Sequence, residues 1–199
     1  MDTQGYAGPF SLTAGSGIAC SFVIAPSIYG TIATQRFNST YGTTYTNTGT
    51  TDSDSGYICF NSIDVANTSG FIVETSINFL PASVPSQANI ILAVIAWTVI
   101  PNQLYITSMY QIPSTALSNQ TGVQSISVPS LYIQEGQYLS IWFANNGLSG
   151  SAARSNGRNQ YWSATSNILY NVQNDIPLTF TSFGPAGNAV QFTVNTIVN

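Results

Sequence analysis

The sequence holds no histidine and no lysine, and Arg36, Arg154 and Arg158 are its only basic residues. Each absence excludes a class of function. Ser-His-Asp and Cys-His catalysis both need an imidazole, so neither is available. Gly147-Leu148-Ser149-Gly150-Ser151 misses the Gly-x-Ser-x-Gly elbow by one place and reads as a loop. Two cysteines without histidine make no zinc site. A nucleic-acid binder must neutralise phosphates with several lysines or arginines, and a net charge of −4 opposes that. A membrane-surface helix with a basic face is missing for the same reason. Charged residues make up 5% of the chain, against about 25% in ordinary soluble domains. Nothing in the sequence calls for a cofactor, and the reading is of a protein that is not an enzyme.

Long hydrophobic runs are also missing. The longest, Ile90 to Ile100, is too short for a bilayer-spanning helix of about 20 residues. It is rich in β-branched residues, free of charge and glycine, and bracketed by Pro85 and Pro101. These features predict a central strand buried on both faces. Met1-Asp2-Thr3-Gln4-Gly5 has neither the basic start nor the apolar stretch of a signal peptide. No membrane insertion is expected.

What is present is a chain of 199 residues, 44% apolar and 12% aromatic, enough to bury a sizeable core. Most of the remainder is Ser, Thr, Asn and Gln, so with Tyr the surface is polar without being charged. Disordered chains lack the aromatic and β-branched residues found here. Seven carboxylates leave little for acid to titrate, which fits acid or hot surroundings outside a cell.

Along the chain, residues 1–17 read as a glycine-rich extended arm or edge strand. Strands are predicted over Ile18–Ile24, Ile28–Phe37, Tyr57 to Phe60 or Val65, Gly70–Leu80, Ile90–Ile100, Gln103–Ile112, Val123–Val128, Tyr138–Ala144, Ile176–Phe183 and Ala189–Val198. Asn38–Gly56 reads as a loop or Thr-rich hairpin, 145–160 as a polar loop, and Gly184–Asn188 as a turn between the last two strands. No helix is expected. The fold class is therefore all-β: a single-domain antiparallel β-sandwich over 18–199, jelly-roll-like, of about nine or ten strands.

Residues 70–144 carry a further arrangement. Gly70–Leu80 is patterned with period two, Ile90–Ile100 follows as a buried strand, and Ser127-Val128-Pro129-Ser130-Leu131 leads to Ile133-Gln134-Glu135-Gly136-Gln137-Tyr138-Leu139-Ser140-Ile141-Trp142-Phe143. The phrase x-x-Gly-x-Tyr-hydrophobic resembles the closing turn and strand of jelly-roll modules in viral capsid and spike proteins and in extracellular carbohydrate-binding modules. The resemblance implies architecture only; no catalytic residue follows from it.

Several residues stand out as candidate sites. Arg154, Arg158, Tyr161 and Trp162 gather two of the three cations beside two aromatics, suited to a sugar or a partner carboxylate. Against this, Asn156-Gly157 reads as a hairpin turn carrying solvated arginines. Asp52-Ser53-Asp54-Ser55-Gly56 opens like a calcium loop but lacks the distal glutamate, so Asp52 and Asp54 are weak metal candidates and otherwise a polar turn. Glu74, Glu135, Asp64 and Asp175 are the carboxylates a glycosidase pair would have to be drawn from. Cys20 and Cys59 form either one disulfide or two buried thiols. Asn38, Asn67 and Asn119 fit the N-glycosylation pattern in expected loops.

These features together predict a structural virion protein, a capsid or spike subunit. Its expected partners are copies of itself and other virion or surface proteins, with host-surface glycan as a further contact and the virion as its location. The alternative is a secreted or cell-surface adhesin, filament subunit or carbohydrate-binding module.

Overall fold

The computed structural model describes residues 10–13, 19–22, 35–47, 54–81, 84–144, 152–165 and 167–198. The chain divides into two compact units, residues 1–36 with 197–199 and residues 37–196. The first contains an antiparallel pair, β1 (Phe10–Thr13) and β2 (Ala19–Phe22), registered Phe10 to Phe22 and Thr13 to Ala19. β2 falls inside the strand expected over Ile18–Ile24, but it pairs with β1 rather than joining a sandwich sheet. The remainder of the expected arm and residues 28–34 lie outside the described residues.

The second unit is a sandwich of two antiparallel sheets. β3 (Gln35–Gly42), β13 (Val190–Val198), β5 (Gly70–Phe79) and β8 (Gly122–Ile133) form the smaller sheet, in that spatial order. The larger sheet runs β11 (Leu178–Thr179), β7 (Gln103–Gln111), β6 (Ile90–Trp97), β9 (Tyr138–Phe143), β4 (Tyr57–Val65), β10 (Arg154–Ala164), β12 (Thr181–Asn188). Without β10, β11 and β12, the order β3-β13-β5-β8 faces β4-β9-β6-β7. That interlocking of two Greek keys is the jelly-roll order. The segment between β9 and β13 is an insertion that lengthens the larger sheet at both ends. Eleven strands result, more than the nine or ten expected.

The apolar run is strand over Ile90–Trp97 only; residues 98–100 turn out of the sheet, and Val99 and Ile100 are exposed. Ile90, Leu92 and Val94 point into the space between the sheets, where they meet Ile72, Ile77 and Phe79 of β5, Ile126, Val128 and Leu131 of β8, and Phe192 and Val194 of β13. Ile91, Ala93 and Ile95 point the other way, into a second core with Ile58, Phe60, Trp142, Ile168, Leu178 and Phe180. A strand buried on both faces must be apolar at every position, and this one is. The insertion supplies the outer cover. Its helix α1 (Ile168–Gln173) starts at Asn167, whose Oδ1 accepts from Tyr170 N at 3.0 Å, and buries Ile168.

Three expectations need correction. Residues 154–160 are strand, not loop: Asn156-Gly157 makes an irregularity inside β10, where pairing with β12 shifts between Asn156 and Gln160. Gly184–Asn188 is likewise strand, because Arg154, Ser155 and Asn156 pair with Asn188, Gly187 and Ala186. α1 occupies a stretch without a helical forecast; at six residues it is too short to show a periodicity. Among the described residues, no helix is long and apolar enough to cross a membrane.

Candidate functional site

β10 and β4 lie side by side with Gln160 opposite Asn61, Tyr161 opposite Phe60, and Trp162 opposite Cys59. Opposed residues share a face, so strand alternation divides the four predicted contact residues. Tyr161 stacks on Phe60 at 5.5 Å in the outer core. Trp162 falls on the other face with Cys59 and Gln160. Arg154 and Arg158 are drawn into two separate ion pairs.

Arg154 is 3% exposed, which overturns its reading as a solvated arginine. Its Nη2 donates to Asp54 Oδ1 at 2.6 Å, and its Nη1 donates to Asn188 Oδ1 at 2.6 Å and to Gln160 Oε1. Gln160 Nε2 donates to the same Asn188 oxygen. From Asn188 the chain of bonds continues: its backbone N–H donates to Asn61 Oδ1, and Asn61 Nδ2 donates to the Asn188 carbonyl and to Asp64 Oδ2 at 2.9 Å. Arg158 Nη1 closes the series on Asp64 Oδ1. Two of the chain's three cations are thus paired within the protein, Arg154 buried and Arg158 partly exposed, along a polar seam that joins β4, β10 and β12.

Burial raises the Asp54 carboxyl above its ordinary value, and the Arg154 guanidinium offsets part of that rise. Burial also raises Asp64, against the pull of Asn61 and Arg158. Cys59 is a buried free thiol whose Sγ donates to Asp54 Oδ1 over 3.7 Å. Burial, then the Asp54 charge, pushes that thiol well above its usual range, so it is neutral and a poor nucleophile. Cys20 lies in β2 of the other unit. Asp54, weighed as a calcium ligand, instead faces a guanidinium; Asp52 lies outside the described residues. Among the described residues, no three His, Cys, Asp or Glu side chains gather as a metal site.

A cavity of about 330 Å³ opens over this seam, lined by Asp54, Tyr57, Cys59, Arg154, Gln160, Trp162 and Phe183. Its size lies at the lower end of small-molecule sites. Tyr57 and Trp162 meet edge to face, with centroids 4.7 Å apart at 86°. The Arg154 guanidinium carbon lies 5.3 Å from the centre of the Phe183 ring, and Phe183 is half exposed. Arg154 and Trp162 of the predicted set therefore come together, and Arg158 and Tyr161 do not line the cavity. Asp54, Tyr57 and Phe183 were not foreseen as members, because they arrive from strands distant in sequence.

The outward face of the smaller sheet is the second candidate. Ser76 lies opposite Ser125, Glu74 opposite Ser127 and Phe71 opposite Tyr132. Across the other seam, Gln191 faces Ser76, Thr193 faces Glu74 and Asn195 faces Phe71. Hydrogen bonds within the face link Ser76 to Ser125, Thr40 to Thr193, and Asn195 to Asn38. Phe71 and Tyr132, both exposed, touch at 5.3 Å. Glu74 is the one ionisable carboxyl in these pairs. Of the glycosylation candidates, Asn38 sits in strand β3 rather than a loop, and Asn67 and Asn119 are in loops; all three are exposed. Glu135 and Asp175 are exposed as well.

Comparisons with protein-family models, with curated proteins and with solved structures give no match to this chain.

Proposed function

We propose that this protein is a structural subunit of a virus particle, a capsid or spike component that works by packing against copies of itself and other particle proteins and by contacting a host surface. The outward face of β3-β13-β5-β8 carries the reading. Its hydroxyls and amides already bond to one another, so covering them loses little hydration, and Phe71 and Tyr132 add an apolar centre. A surface nearly free of charge also lacks the repulsion that keeps monomers apart.

One edge of each sheet also favours contact through faces. Pro129 interrupts the edge strand β8 and Pro185 the edge strand β12, and proline cannot donate to an added strand. The test is the size of the purified chain by light scattering, with electron microscopy of what forms. Closed shells, rings or spikes are expected. Filaments would move the reading to a cell-surface fibre subunit, and a monomer at every concentration would remove it.

A further inference from the structure

We infer that the cavity between β4, β10 and β12 is a binding site for an uncharged saccharide ring. The inference does not rest on the assembly reading, which concerns the opposite side of the smaller sheet.

Charge complementarity sets the class of ligand. Arg154 at the back wall is already held by Asp54, Gln160 and Asn188. An incoming anion would meet the Asp54 carboxylate, and an incoming cation would meet the guanidinium, each without a free counter-charge. A neutral ligand meets neither penalty. Hydrogen-bonding capacity nevertheless remains. Arg154 Nε has no partner in the protein but also no accessible surface, so the donors open to a ligand are those nearer the rim. Among the described residues the Trp162 indole N–H and the Tyr57 hydroxyl also have no protein partner, and both line the cavity half-buried. The ligand is therefore one that offers oxygen atoms to donors.

Ring geometry narrows it further. A flat aromatic ligand sandwiched on both faces needs two parallel rings, and Tyr57 and Trp162 stand at 86°. A perpendicular corner gives one ring face and one ring edge. That suits a puckered ring whose C–H face lies on an aromatic while its hydroxyls reach the corner. Phe183, half exposed at the rim, supplies a second apolar contact without being needed for the core.

The experiment titrates the intact chain by calorimetry and saturation-transfer NMR with neutral methyl glycosides of glucose, galactose, mannose and N-acetylglucosamine. Sialic acid, glucosamine and adenosine serve as the acidic, basic and flat-ring probes. At least one neutral glycoside is expected to bind, with Trp162→Ala and Phe183→Ala each weakening it about tenfold or more. Circular dichroism and thermal melting confirm that the variants fold, and Phe183→Ala keeps the test valid should Trp162→Ala fail to do so. Binding of only a charged probe or of adenosine would overturn the ligand class. Neutral binding untouched by both variants, or no binding at all, would overturn the site.

Discussion

At the scale of single residues, the Asp54–Arg154 pair is the point where this molecule departs from its own economy of charge. Both groups are nearly solvent-free, and a buried ion whose partner is removed is left without compensation. Arg154→Met, which leaves the Asp54 carboxylate buried without its guanidinium, is expected to cost about 3–5 kcal/mol in denaturant unfolding at neutral pH. Replacing both members with apolar residues of similar volume, Asp54→Leu with Arg154→Met, should recover much of that loss. An additive double loss would mean the two side chains do not act as a pair. The same burial fixes a pH response. Asp54 and Asp64 both bind a proton more tightly in the folded chain than at the ordinary value of 3.8. The unfolded chain therefore gives up these protons first as pH rises. Stability from these two groups is complete below 3.8 and is lost as pH rises through their raised folded values. Melting temperature should hold level or increase as pH is lowered from about 7 to about 4. A steady fall over that interval, read by thermal melts, would refute the assignment.

At the scale of elements, two glycines in the left-handed region separate backbone conformation from steric room. Gly136 has φ of 84° in the turn before β9, with open space where a Cβ would stand. Gly42 has φ of 81° at the end of β3, and a Cβ there would stand 2.1 Å from the Val190 carbonyl oxygen. Gly136→Ala should cost about 1–2 kcal/mol, the conformational term alone. Gly42→Ala should cost clearly more, because β3 must also move off β13. Equal losses in thermal unfolding would show that the β3–β13 contact yields freely. The same elements explain what could be read in advance. β6 was legible because a strand covered on both faces has to be apolar throughout, and the Gly136 turn because a left-handed position leaves its mark in one residue. β10 was not. Arg154-Ser155-Asn156-Gly157-Arg158-Asn159-Gln160 looks solvated, yet Arg154, Ser155 and Gln160 are buried, with Asp54 and Asn188 as the polar partners that permit it. Those partners lie up to 100 residues away, so no local pattern announces them. The cavity was half legible for the same reason: Arg154 and Trp162 are close in sequence, whereas Tyr57 and Phe183 reach it only through sheet pairing.

At the scale of the whole molecule, two ion pairs neutralise Arg154, Arg158, Asp54 and Asp64 within the chain, and of the four only Arg158 keeps part of its side chain exposed. The charges left for solvent or for parts of the chain outside the description are few, and they are mostly carboxylates. Long-range attraction between copies cannot then drive assembly; the contact has to come from shape, hydrogen bonding and apolar area. This distinguishes the proposed subunit from one held by charged patches. Its assembly should persist, with little change in the critical concentration, as salt is raised from about 0.05 M to 1 M, a range that shortens the screening length severalfold. Charge placed on the outward face should act oppositely. Ser125→Lys with Thr193→Lys puts two like charges where each copy must shed water, and Phe71→Glu removes the apolar centre as well. These side chains point out of the smaller sheet, so the fold should survive, with melting temperature lowered only by the loss of the Ser76–Ser125 and Thr40–Thr193 bonds and the Phe71–Tyr132 contact, while sedimentation shows loss of the assembled species. Assembly that dissolves in salt, or that ignores both substitutions, would locate the contact elsewhere on the surface and deprive the sheet face of the role proposed for it.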